Sequence, residues 1–466
     1  MRRAELDDRL AALFAGRPVV LGPGVLALWA RWTTWLAELG CPTLVVTTGR
    51  GAGPVPGPET VVVEIDSPAT ASLTDELRLH DRLLHDLPQH AVDAIETFDP
   101  DRRGVVLASP FVTTDQPVLG RPVTGGRPRA WLDLEDKLLA DGIWAAVGLP
   151  VAPYRIVGLD EDELTAASRE LAGPQGVVWS GDARDGFNGG GNYVRWVRDE
   201  RDARTARAFF APRCDRLRVM PFLEGVPCSI HGVVLPDGTA ALRPVEIAVL
   251  RNTAHRTFVY AGLGTSWDPP VADRAQMRAA ARRVGEHLRA AHGYRGAFGI
   301  DGVLTTDGFR PTELNTRMSA GATTAAEVDA RFFALLQANL VAGVDTGVTV
   351  ADVEARVEQM DAERTGRVIA VAEGPRVGRR LSYPVTYDGV SFRRSDRETG
   401  NTLSVADTAS GFFAQVDPCV ALEPGRRLAD VTAALLRFVD AEYGAGFGPV
   451  EVAPDVRVRT SSNQTP

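Results

Sequence analysis

Lysine is almost missing from this chain. Of 51 Lys and Arg residues only Lys137 is a lysine, against a background rich in Ala, Gly and Val. In such a background arginine serves wherever a generic cation will do, so the one surviving ammonium marks a position worth explaining. Cysteine is scarce too: Cys41, Cys214, Cys228 and Cys419 are scattered and form no C-x-x-C pair. That argues against a zinc site or a thioredoxin-like motif and reads as reduced thiols in a cytoplasmic protein. No uninterrupted apolar run reaches the roughly 18 residues of a membrane span. The start, MRRAELDDRLAALFAG, has neither the apolar core nor the cleavage site of a signal peptide, and reads as an amphipathic helix. A net charge of -9 excludes a basic field for nucleic acid. The seven histidines show no Ser-His-Asp or His-x-x-x-His spacing.

What is present is enough apolar sequence, 44% of 466 residues, for two to four domains. Residues 1–128 read as an α/β domain. Apolar runs at 18–21, 43–47, 60–65 and 104–108 alternate with helical stretches at 26–39 and 73–87, which predicts a mostly parallel sheet. A Gly/Pro/Arg-rich linker at 120–129 follows. The second region, 129–345, opens on a helix over 134–147, with Asp133 as N-cap and Gly148 as stop. A smaller α/β section at about 150–222 then carries the glycine cluster DGFNGGGN (185–192). After it come strands at 217–222 and 229–235, a helix over 271–291 and a hairpin around 297–317. From 346 to 466 short strands, Gly/Pro turns and a final helix over 428–443 read as an appended α+β domain.

The hairpin AFGIDGVL-TTDG-FRPTELNTR carries the densest chemistry. Side chains alternate along a strand, so Glu313 and Asn315 share a face, and Arg317 extends the row. Asp301 joins them only if it pairs with Glu313. A two-residue loop at Asp307-Gly308 would pair it with Leu314 instead, whereas a three-residue loop, 306–308, gives the required register. Two carboxylates and an amide oxygen on one face suit Mg²⁺ when phosphate oxygens complete its shell. A guanidinium beside such a site suits a transferring phosphoryl group. A solvated antiparallel strand would show the same alternation.

Two further segments fit a nucleotide. Gly189, Gly190 and Gly191, with Asn188 before them, expose amide N–H groups to an anion and suit a closing lid, or else form a plain hairpin tip. No Gly-Lys-Ser/Thr follows, so this is not a P-loop. The segment MPFLE offers Met220, Phe222 and Leu223 to an adenine ring and Glu224 to a ribose, although core packing explains the apolar members equally well.

Taken in order, these pieces resemble the ATP-grasp superfamily of carboxylate–amine ligases: Asp136-Lys137 before GLPVAPYRIV, the glycine loop, VMPFLEGVPCSI, then FGIDGVL and PTELNTRMSAG. The match spans about 130–345. The resemblance implies an ATP-grasp fold, α/β and α+β in several domains, with ATP and Mg²⁺. It implies that Lys137 contacts phosphates, 188–191 close over them, and Met220, Phe222, Leu223 and Glu224 hold the nucleoside. Asp301, Glu313 and Asn315 hold the metal, and Arg317 is catalytic. Length, the GFNGGGN lid and the C-terminal extension are similar to a narrower group, the pheganomycin-type peptide ligases. Two departures stand out: the second phosphate-binding lysine, due near Trp179-Ser180, is absent, and Cys228 replaces a common glutamate. Arg184 or Arg195 would be the substitutes at hand.

The expected function is an ATP-dependent peptide ligase joining an amino-acid-like carboxylate to an amino acid or peptide amine through an acylphosphate, in natural-product assembly. His255 and Arg256, between predicted strands, face the acyl substrate or form a surface turn; Arg256 is taken as a second catalytic arginine. The competing readings are a ligase or carboxylase for a non-peptide metabolite, and a nucleotide-binding protein without turnover. The partners expected are small molecules and, by family resemblance, a second copy of the chain, with no nucleic acid and no membrane.

Overall fold

The computed structural model describes residues 3–184, 186, 188–189, 191–398 and 400–457. Its N-terminal sheet is parallel throughout, in the order Val61–Glu64, Thr43–Thr47, Val19–Leu21, Val105–Leu107, Val123–Thr124. The central strands are fully buried, as expected where helices cover both faces. This sheet shares a core with the helix Ala330–Ala342 through Leu21, Val45, Phe333 and Leu336. Thr124 Oγ1 also donates to Ala338 O at 2.7 Å, tying the domain to the rest of the molecule.

A four-stranded antiparallel sheet forms the lid, in the order Arg155–Val157, Leu217–Pro221, Val177–Gly181, Val194–Val197. The helices Glu161–Leu171 and Glu200–Phe210 pack on its outer face through Leu164, Ala206 and Phe210, against Trp179 and Val219. Because strand side chains alternate, Ser180, Arg218 and Met220 turn to the opposite, cleft side.

The large antiparallel sheet has twelve strands among the described residues. The strand Gly296–Thr305 lies between Gly308–Asn315 and Val226–Leu235; Val245–Asn252, Thr257–Gly264 and Gly366–Glu373 follow. Its back face buries Ile230, Phe298 and Ile300 against Met277, Ala281 and Val284 of the helix Val271–His292. Each such side chain contributes about 1.5–3 kcal/mol on full burial. Residue 345 falls in the loop after the helix Ala330–Ala342, and the sheet continues across it, since Leu263 pairs with Arg367. The C-terminal strands then fold over the helix Leu428–Tyr443.

Two local expectations differ from the structure. The helix expected over 134–147 runs Lys137–Ala146, with a short 3-10 turn at Asp133–Glu135 before it. Asp136, not Asp133, caps it, accepting from Leu138 N at 2.9 Å. Lys137 thus becomes the first helical residue, and Glu135 is freed to point elsewhere. In the hairpin, Asp301 does pair with Glu313, but not through a three-residue loop. Thr305 pairs with Gly308 across a two-residue loop, and the register shifts between the Asp301–Glu313 and Gly302–Pro311 pairs. A bulge at Thr312 makes the correction, re-aiming the side chains beyond it.

Candidate active site

Lid, central sheet, N-terminal domain and C-terminal strands enclose a cleft of about 1390 Å³. Asp301, Glu313, Asn315, Lys137 and Arg317 all line it. Asn315 Nδ2 donates to Asp301 Oδ2 at 3.0 Å, and Ser229 Oγ donates to Asp301 Oδ1. Lys137 Nζ stands 2.6 Å from Glu313 Oε2, with its side chain 7% exposed. Burial first, and the Glu313 charge second, push the Asp301 carboxyl up to about 6, while Ser229, Arg317 and Asn315 pull it down. Two neighbouring carboxylates in a recess need positive charge, which Lys137 supplies to one of them.

The donor set fits Mg²⁺. Among the described residues no cluster of three His, Cys, Asp or Glu is placed to cage a metal. Two carboxylates and one amide make a partial shell of hard oxygens, of the kind that substrate phosphates and water complete.

Arg317 is held from below. Glu135 Oε2 accepts from Arg317 Nη1 and, at 3.0 Å, from Arg127 Nη2, while Glu135 Oε1 accepts from Thr316 N at 2.9 Å. The Phe111 ring lies 4.8 Å from the Arg317 guanidinium carbon. Glu135 was missed in the sequence because it sat inside an expected helix. An acid next to the cap of a shorter helix was the available signal.

Met220, Phe222 and Leu223 line the cleft, and Phe222 packs in a three-ring cluster with Trp196 and Phe258, at centroid distances of 4.8 and 6.2 Å. Glu224 does not line it; its carboxylate pairs with Arg251, which does. Gly225 beside it has φ 146°, and a Cβ there would stand 2.2 Å from Leu304 O, so only glycine fits this crossing. Gly189 and Gly191 line the cleft, and Gly190 lies outside the described residues. Asn188 faces away from the cleft, donating to Asp182 O at 2.7 Å and accepting from Arg78 Nη2 at 2.8 Å. Thr74 Oγ1 donates to Gly189 O at 3.2 Å, and Asn192 Nδ2 donates to Glu373 Oε1 at 3.1 Å. The glycine loop is therefore docked on the helix Leu73–His85 and on the end of the strand Gly366–Glu373.

Three arginines are corrected by the structure. Arg256 does not line the cleft. It occupies a turn at φ 55°, donates to Asp202 of the lid helix at 3.1 Å and lies over the Trp196 ring; His255 shares that turn, its N–H bonded to Asn252 Oδ1. Arg184 pairs with Asp215, and Arg195 lies 3.6 Å from the Phe209 ring centroid on the helix side of the lid. Neither lines the cleft. The cation of the lid sheet that does line it is Arg218, directly across from Ser180. Asp141, one turn along from Lys137, holds it in two bonds of 2.6 and 2.7 Å. An arginine in the otherwise apolar run LRVMP was the sequence signal for it. Cys228 is buried, and burial holds its thiol well above the ordinary range, so it plays no acidic part.

Solved structures align with this chain over nearly its whole length. Phosphoribosylamine–glycine ligase from Thermotoga maritima is 14% identical, covering 93% of this chain and 97% of that one, at TM-score 0.53. Carboxyaminoimidazole ribonucleotide synthase from Aspergillus clavatus, complexed with ATP, is 12% identical, covering 92% and 100%, at TM-score 0.52. The chain has the ATP-grasp fold. Pyruvate carboxylase from Rhizobium etli, at 17% identity and TM-score 0.55, matches over 92% of this chain but only 39% of its own. No family model matches the sequence, and no curated protein does.

Proposed function

We propose that this protein is an ATP-dependent ligase that joins a carboxylate to an amine, with ADP and phosphate as co-products, and that the amine belongs to an amino acid or short peptide. The observation that carries the reading is the Asp301–Glu313 pair, cross-strand on one face, with Asn315 donating to Asp301 and the only lysine of the chain on Glu313. Asp301, Glu313 and Asn315 would hold Mg²⁺, which when bound neutralises the charge of the phosphates and polarises the transferring group. Glu313 would hold the metal in place of its ion pair with Lys137, whose ammonium would then be available to a phosphate oxygen. Arg218 is the lid's cation toward the same phosphates, in place of a second lysine. Gly189 and Gly191 close over them, with Met220, Phe222 and Leu223 around the base.

The substrate carboxylate oxygen attacks the γ-phosphorus, the bond to the β-phosphate oxygen breaks, and ADP leaves. Positioning and fixed charge do most of this work. The amine nitrogen then attacks the acyl carbon, the carbon–oxygen bond to phosphate breaks, and the ammonium proton passes to solvent. Arg317, locked by Glu135, stabilises the oxyanion of that step. We place the reaction in the assembly of peptide natural products, a reading that rests on the glycine-loop sequence and the long C-terminal extension. ADP release measured with pooled carboxylates and amines tests the whole. It should need both substrate classes and Mg²⁺, and stop with chelator. ADP release indifferent to both would overturn the ligase reading.

A further inference from the structure

Among the described residues seven cationic side chains line the cleft, and six are matched by a carboxylate: Arg31 by Glu327, Lys137 by Glu313, Arg218 by Asp141, Arg251 by Glu224, Arg317 by Glu135 and Arg364 by Asp268. Arg367 is the seventh. It is exposed to the cleft and makes no ion pair among the described residues, not even with Asp417, which lines the same stretch.

Its position follows from strand register. Asp301 faces Ser229, and Ser229 faces Val245. Two residues on, Ile247 faces Leu263, and Leu263 faces Arg367. Cross-strand partners and i, i+2 neighbours share a face, so all of these side chains rise from one face of the sheet. Arg367 thus ends a row that begins at the metal carboxylate, with apolar Ile247 and Leu263 as its floor. Four strand-to-strand steps separate the ends, about 19 Å at roughly 4.8 Å each. Less the arginine side chain and the room taken by metal and phosphate, about 10 Å remains, the length of about three extended residues.

An anion at Arg367 is too far from the metal to be the carboxylate that is phosphorylated. It suits a substrate with its reacting nitrogen at one end and a carboxylate at the other, the geometry of a short peptide acceptor. We propose that Arg367 anchors the C-terminal carboxylate of a short acceptor peptide, whose N-terminal amine reaches Asp301 and Arg317 across the Ile247–Leu263 floor. The anchoring also keeps that carboxylate away from the phosphoryl donor, so the acceptor is not itself activated. The assignment rests on the ligase reading and can fail without it.

Calorimetry with trialanine and trialaninamide, each in the presence of a non-hydrolysable ATP analogue, tests it. Wild type should bind the acid at least tenfold more tightly than the amide. Arg367→Ala should bind the two equally, with affinity for the analogue unchanged, and Arg367→Lys should regain part of the preference. In turnover, Arg367→Ala should raise the KM for trialanine and leave kcat alone. Equal binding of acid and amide by wild type, including no binding of either, would overturn the anchor, as would a preference that survives in Arg367→Ala. If ADP is never released with any carboxylate and amine, the ligase reading fails. If trialaninamide is ligated as well as trialanine, only the anchor fails.

Discussion

The two ends of the cleft are built on opposite principles. At the Asp301 end the cations are held by carboxylates: Lys137 on Glu313, Arg317 and Arg127 on Glu135, Arg218 on Asp141. At the far end Arg367 makes no ion pair among the described residues and stands above an apolar floor. Charges that handle a small, invariant group such as phosphate are held rigid in advance, which lowers the cost of organising them during reaction. A charge that receives a variable substrate is left free to find it. The contrast separates residues that would set the rate from residues that would set the choice of substrate.

The largest expected break in that contrast is Glu313→Ala. It removes a metal oxygen and the partner of Lys137, and should lower turnover on the order of 10²–10³-fold, with an unchanged circular dichroism spectrum. Steady-state ADP release checks it, and retained activity would remove Glu313 from the site.

These parts were not equally legible. Glu313 and Asn315 lie on one strand, where alternation assigns them a common face, but Asp301 joins them only through the register of the neighbouring strand, and Arg317 lies just past the strand end at Asn315. The bulge at Thr312 could not be read from alternation, because a one-residue insertion leaves no mark on that pattern. The parallel N-terminal sheet followed from element order, the large antiparallel sheet was legible only at its hairpin, and the final helix was bounded correctly at Leu428–Tyr443. Arg256 was misplaced because a hairpin turn meets the lid helix through Asp202, a contact between residues far apart in the chain. Arg367 was invisible for the same reason: its neighbour Leu263 precedes it by about a hundred residues, and only the sheet brings them together. Glu135 was hidden by a helix start displaced from Asp133 to Asp136.

Next in size is Glu135→Ala, which leaves Arg127 and Arg317 buried beside each other without their carboxylate. Removing one partner of a buried ion pair costs about 3–5 kcal/mol. A lower urea midpoint should therefore accompany lost activity. Glu135→Gln, which keeps the acceptor oxygen, should recover part of the stability. A midpoint unchanged in Glu135→Ala would mean that the network does not hold Arg317 in place.

The smallest effect sharpens the metal end. Lys137→Arg keeps the charge but replaces a compact ammonium by a broad fork in a recess that is 7% exposed. Nucleotide affinity should fall about tenfold, or about 1.4 kcal/mol, by fluorescence titration, with the fold intact. Unchanged affinity would make the single lysine an accident of composition.

The central claim is that a carboxylate is phosphorylated before the amine attacks. A substrate carrying ¹⁸O at both carboxylate oxygens, turned over with ATP and an amine, tests this directly by mass spectrometry of the released phosphate. The account predicts that each phosphate formed carries one ¹⁸O atom from the substrate. ADP and ligated product formed with unlabelled phosphate would contradict it.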